Sequence, residues 1–197
     1  MKRRILVALA LVGLLSVVLV SRAGAATRTT SNVTLMDNPK AVMGSSTLTR
    51  TDSGIALVLH ATGLQAGHTV TIWWMVFNHP QACTSGATTP DDPDDPRCGM
   101  ADVENPRAGL SVLYAAGNIV DEDGEADFGA HLQEGDTDAA IMGSELGLLG
   151  AAAADVHLVV RDHGPVDPRH VVDQIHTFND FCNPTCTDLQ MSVHEAR

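Results

Sequence analysis

Residues 68–78, His-Thr-Val-Thr-Ile-Trp-Trp-Met-Val-Phe-Asn, constrain the fold more than any other stretch of this chain. In an extended backbone successive side chains point to opposite sides. Val70, Ile72, Trp74 and Val76 therefore share one side, and Thr71, Trp73, Met75 and Phe77 share the other. Both sides are apolar, which predicts a central strand covered on both faces, or one whose second face meets a partner. The adjacent tryptophans must point opposite ways. One belongs in a core; the other, whichever of Trp73 and Trp74 it is, is a candidate to line a ligand groove with His79.

The same period of two recurs along the chain. In Gly54–Ala61 the side chains of Ile55, Leu57 and Leu59 fall on one face, and the turn Thr51-Asp-Ser-Gly54 predicts a hairpin with residues 46–50. Gly63-Leu-Gln-Ala-Gly67 reads as a second turn. Residues 110–120 and 125–132 flank Asp121-Glu-Asp-Gly124, a hairpin signal. Strands are expected again at 155–162, near 171–178 and at 187–195, and a short helix within 144–154. Seven or so short strands without a βαβ rhythm predict an all-β fold, an antiparallel β-sandwich of immunoglobulin-like or related type. One domain, residues 26–197, accounts for the chain, and no internal repeat or second domain is evident. Residues 79–108, with five prolines, read as a long loop, and loops of that length are uncommon in compact domains.

The beginning of the sequence reads as an export signal. Lys2, Arg3 and Arg4 precede an apolar run from Ile5 to Val20, and Ala23-Gly-Ala25 offers small residues for cleavage after Ala25. Sixteen helical residues, at roughly 1.5 Å each, fall short of a hydrocarbon core of about 30 Å. The expectation is a secreted or periplasmic protein with no stable membrane anchor after cleavage.

Charge narrows the partners. The whole chain has 12 basic and 24 acidic residues. Loss of the leader removes four bases and no acid, leaving a net charge of −16. A phosphate backbone needs a basic footprint, so nucleic acid is excluded as a partner. An apolar fraction of 44% excludes a disordered chain. What the composition leaves open is an extracellular ligand or protein partner.

Cys83, Cys98, Cys182 and Cys186 are an even set in an exported chain, so disulfides are expected over a thiolate metal site. Three pairings are open. The local one, Cys83–Cys98 with Cys182–Cys186, closes the least chain, and it would tether the 79–108 loop.

Metal chemistry has candidates without a strong spacing motif. Neither His-x-His nor His-Glu-x-x-His occurs among the nine histidines. His157 and His163 on one extended segment would lie about 20 Å apart. A site gathered from strand ends, using His163, His170 and His176 with Asp162, and with His157 nearby, would suit Zn²⁺ or Cu²⁺. Asp91-Asp-Pro-Asp-Asp95 and Asp121–Asp127 supply the oxygen ligands Ca²⁺ takes, without an EF-hand pattern. Nucleophilic catalysis lacks a G-x-S-x-G elbow and a free thiol, and carboxylate pairs for glycoside hydrolysis have no sequence signature to locate them.

Three segments carry a resemblance. Trp73-Trp-Met-Val-Phe-Asn-His-Pro-Gln-Ala-Cys83, Val112-Leu-Tyr-Ala-Ala-Gly117 and Val156-His-Leu-Val-Val-Arg-Asp-His-Gly-Pro165 resemble a family of exported microbial β-rich proteins whose activity is uncharacterised. His163-Gly164-Pro165 is also similar to the His-Gly-Pro of CHRD-type extracellular modules, without their neighbouring His-x-His-Gly. The resemblance implies a β fold and supplies no activity. The sequence thus favours a non-catalytic binding or structural module with no cofactor. A Zn, Cu or Ca protein is the first alternative, and a hydrolase with an unlocated site the second.

Overall fold

A computed structural model describes residues 25–84 and 98–196; residues 1–24, all but the last residue of the expected export signal, and the acidic run Asp91–Asp95 lie outside the described residues. The strands are β1 (Thr27–Leu35), β2 (Val42–Thr51), β3 (Gly54–Ala61), β4 (His68–Phe77), β5 (Leu110–Ile119), β6 (Ala126–Gln133), β7 (Ala140–Gly143), β8 (Asp155–Pro165) and β9 (Thr187–His194). They form one antiparallel sheet in the order β6-β3-β2-β1-β9-β8-β4-β5-β7.

The sheet curls until its two halves face each other. Leu57 and Leu59 of β3 and Phe128 of β6 share one buried cluster with Val70, Ile72, Trp74 and Val76 of β4 and Leu158 and Val160 of β8. The β6–β3 pair and the β8–β4 pair are separated in the sheet by β2, β1 and β9, so the cluster is the filling between two layers. This is the sandwich that alternating side chains predict. The buried Arg50 closes the layer at one end, donating from its two terminal nitrogens to the carbonyls of Ala151, Ala154, His194 and Glu195.

β4 is central, as its doubly apolar pattern requires. It pairs with β5 on one side and β8 on the other. Its second face, Trp73, Met75 and Phe77, meets Cys98, Ala108, Leu110, Val112 and Val159 in a second buried cluster, with Tyr114 and Phe178 packed against it. Two irregular segments supply part of this cover. One is the described part of the 78–109 connection, residues 78–84 and 98–109, stapled by a Cys83–Cys98 disulfide. Buried Asp102 reinforces that staple: its carboxylate accepts from the Thr84 and Gly99 amides at 2.7 and 3.1 Å. The other, residues 166–186, is here called the strap.

Three local expectations are corrected. Asp121–Gly124 does turn, with the Asp121 carboxylate accepting from the amides of Asp123 and Glu125. Yet β5 and β6 make no hairpin ladder, because β5 pairs with β4 and β7 while β6 pairs with β3. The Leu64 and Gly67 amides donate to the Gly124 and Val120 carbonyls, so this turn carries the chain from one layer to the other. The helix expected within 144–154 is absent. Gly147 has φ +87°, outside the helical region, and its amide donates to Ser111 Oγ. The strand expected near 171–178 is a single helical turn, α1 (Val171–Gln174), followed by irregular chain. β8 already has β4 and β9 on its two edges, so no edge beside it was free to take another strand.

Candidate functional site

Side chains on the outer face of β8 hold the strap. His157, Val159 and Arg161 alternate with the core residues Val156, Leu158 and Val160 and point outward. Arg161 Nε donates to the Phe178 carbonyl at 2.8 Å, its guanidinium lies over the Phe178 ring, and its terminal nitrogens bond Asn179 Oδ1 and the Asp188 carboxylate. Phe178 in turn packs edge-on against Trp73, with centroids 4.8 Å apart. Farther along the strap, Tyr114 donates its hydroxyl proton to the Ile175 carbonyl at 2.8 Å. Gly117 lies under that carbonyl, which a Cβ there would approach to 2.2 Å.

His163-Gly164-Pro165 forms the strap's second anchor. The Asn183 amide donates to the His163 carbonyl at 2.7 Å. A Cβ on Gly164, whose φ is +83°, would stand 1.8 Å from the Asn183 carbonyl oxygen. Only glycine allows that approach. The Pro165 carbonyl accepts from the side-chain amides of Gln174 and Asn183.

A polar chain fixes the His163 ring. Trp73 Nε1 is a donor only and gives its hydrogen to Thr71 Oγ1 at 2.7 Å. The Thr71 hydroxyl can then donate to His163 Nε2, 2.9 Å away. In the tautomer in which Thr71 donates, the ring hydrogen of neutral His163 sits on Nδ1, and Nδ1 faces Cys186 Sγ at 3.1 Å. Burial, with Arg161 adding to it, lowers the His163 pKa to about 4, so the ring is neutral at pH 7.

Beside this anchor the strap encloses an open cleft of about 320 Å³ lined by Asp167, Arg169, His170, Gln174, Phe181, Cys182 and Asn183. Cys182 is joined to Cys186 by the second disulfide. The His170 ring lies 5.3 Å from that of Phe181, with planes 32° apart. Asp167 accepts from His170 Nδ1 at 2.9 Å and from the Arg169 amide and side chain. Those donors, His170 first, hold its carboxyl well below the usual range. Phe181 is 46% exposed with φ 55°. That left-handed conformation costs a residue with a Cβ of order 1–3 kcal/mol, and such residues cluster at binding sites.

The residues singled out in the sequence fall in several places. Trp73 and Trp74 are each 1% exposed, so neither lines a groove: both layers of cover needed an indole. His79 lies apart from them, its Nε2 2.7 Å from a Glu145 carboxylate oxygen. The set His157, His163, His170, His176 and Asp162 does not converge. His157 is buried against Phe77, Asp162 accepts from His68, His170 faces Phe181, and His176 bonds the Val172 carbonyl and stacks near Tyr114. Among the described residues, the group of three ligand-type atoms within 4.8 Å of one another is His163 with Cys182 and Cys186. Its sulfurs are bonded to each other in the second disulfide. The Asp121–Asp127 carboxylates form no such group. Sequence reasoning missed the cleft, and the signal that could have found it is His-Gly-Pro at the end of a strand, followed by a short Cys-x3-Cys.

The two disulfides belong to a chain that matures in a non-reducing compartment. No helix among the described residues is long and apolar enough to cross a membrane. No family model matches this sequence. No curated protein matches it. Among solved structures it is similar to a mutant of an SOD-like protein from Bacillus subtilis, at 13% identity and a TM-score of 0.33, over 85% of this chain and 97% of that one. A likeness that low says nothing of activity here.

Proposed function

We propose that this is a secreted or periplasmic binding module, without catalytic activity, whose ligand sits in the strap cleft. The observation that carries the reading is the cleft itself. It places an exposed aromatic ring, the Arg169 guanidinium and the His170 imidazole around one opening. The lining is mainly polar, with one ring to stack on and several groups that can set a small ligand's orientation. Arg169 is 83% exposed in its side chain, and its guanidinium, which also donates to Asp167, is a cation on an acidic chain. A small ligand with a planar apolar part and a carboxylate fits that pairing. The leader and the disulfides support export.

The test is amide-shift mapping by NMR with a panel of small aromatic and aliphatic carboxylates. Binding is expected to move resonances of residues 167–183, and Arg169→Ala and Phe181→Ala should each abolish it. Shifts confined to another surface, or none at millimolar ligand, overturn the reading. Turnover of an ester, glycoside or peptide panel, lost on one carboxylate substitution, would favour a hydrolase instead.

A further inference from the structure

We propose that the Cys182–Cys186 disulfide is exchange-active: a thiolate entering the strap cleft attacks Cys182 Sγ and expels Cys186 as a thiolate onto the Nδ1–H of His163. This stands independently of what else the cleft binds. Three observations carry it. Cys182 lines the open cleft, so one sulfur of the pair is reachable. The other, Cys186 Sγ, lies 3.1 Å from His163 Nδ1, and a Thr71 hydroxyl that donates to Nε2 leaves the ring hydrogen on that Nδ1. A donor aimed at a bonded sulfur contributes little, whereas the same donor aimed at a thiolate makes a charge-assisted hydrogen bond. Cys182 Sγ meanwhile lies 3.2 Å from the Asn179 carbonyl oxygen, which can accept from a thiol and disfavours a thiolate. Reduction thus finds a neutral-thiol site at Cys182 and a thiolate site at Cys186. At the other disulfide Cys98 is fully buried in the outer cluster and Cys83 packs, partly buried, against it, with no imidazole on either sulfur among the described residues.

The co-reactant is a dithiol. Its first thiolate forms a mixed disulfide with Cys182 while the Cys182–Cys186 bond breaks and its electron pair leaves on Cys186. Its second thiolate then attacks its own mixed-disulfide sulfur and expels Cys182, which takes a proton. The dithiol ends as a cyclic disulfide, two electrons and two protons having passed to this protein once Cys186 is protonated. Exchange rate follows the stability of the leaving thiolate, which is where His163 acts.

The charged and titratable groups around the pair are Arg161, Asp162 and Asp188 beside His163, Asp167, Arg169 and His170 around the cleft, and Asp180, whose carbonyl lies 3.9 Å from Cys182 Sγ. The experiment incubates the folded, oxidised full chain with dithiothreitol at neutral pH, traps thiols by alkylation and maps them by mass. Cys182 and Cys186 should be alkylated at least about tenfold faster than Cys83 and Cys98. In Cys182→Ser, the Cys186 thiolate absorbance should titrate about one unit or more below an ordinary cysteine, and adding His163→Gln should restore the ordinary value. A merely structural staple would not move that titration. Equal resistance of both disulfides overturns the proposal, as does a Cys186 that titrates normally in Cys182→Ser. If His163→Gln does not fold, the titration of Cys182→Ser alone decides.

Discussion

The Arg161 guanidinium sits 4.3 Å from the centre of the Phe178 ring while its Nε donates to the carbonyl of that same residue. One side chain of the sheet therefore holds both the ring and the backbone of the strap. Lysine keeps the charge but not the planar fork or the stacking. Arg161→Lys should cost about 2 kcal/mol, from one cation–π contact and the lost hydrogen bonds. Hydrogen exchange read by mass spectrometry should speed up across 170–183 and leave β4 protected. Uniform acceleration across β4 as well would mean that the strap and sheet unfold as one unit.

Gly164 and Gly67 separate backbone strain from crowding. Both have positive φ, +83° and +75°, so alanine meets similar torsional strain at each. Gly67 has nothing within 4 Å of an added Cβ, whereas Gly164 has the Asn183 carbonyl. Gly67→Ala should cost about 1 kcal/mol. Gly164→Ala should cost roughly 2 kcal/mol more, because the strap must lift for the methyl group to fit. Urea denaturation of the two variants gives the difference directly; equal losses would show that the close approach at Gly164 relaxes freely.

How far the sequence reveals this arrangement depends on whether local pattern or long-range pairing sets each part. The alternation in β3, β4 and β8 is written in Ile55-Leu57-Leu59, in Val70–Val76 and in Val156-Leu158-Val160, since burial of a face leaves a period of two. β1 escaped notice because only Val33 of its nine residues is fully buried, and its neighbours are threonines, serine and asparagine. The Asp121–Gly124 turn was legible, but its strands part company because ladder partners are chosen by the whole sheet. The cleft was illegible for a similar reason. Its walls are residues of a segment that lacks periodicity, and they meet only because Arg161, Tyr114 and Gly164 dock that segment from three places on two strands.

Burial of both indoles makes tryptophan emission a reporter on the two layers. Trp73 and Trp74 are each 1% exposed, so the folded protein should emit to the blue and resist iodide quenching. Trp74→Ala should cost about 3–5 kcal/mol by opening the inner layer. Trp73→Phe retains most of the ring but removes the donor that Thr71 receives, which should cost of order 1–2 kcal/mol. Strong iodide quenching of the native protein would contradict the cover described for β4.

Acid should weaken the fold through buried histidines. His157 packs against the Phe77 ring, and burial, aided by His194, lowers its pKa to about 4. His194 lies between the Ser46 and Thr29 hydroxyls, and burial, aided by Arg50, lowers its pKa to about 4 as well. In the unfolded chain both rings take protons near pH 6.5. Between about pH 6.5 and about pH 4 the unfolded state therefore holds more protons than the folded one, and stability falls as the pH drops. Above that window these rings give full stability; below it the loss levels off. Each contributes about 3 kcal/mol at most. Urea midpoints should therefore be flat from about pH 8 to 7 and fall steeply toward pH 4.5. His157→Phe, which removes one titrating ring while keeping an aromatic against Phe77, should make that fall shallower. An unchanged slope in His157→Phe would mean that the buried ring charges without unfolding.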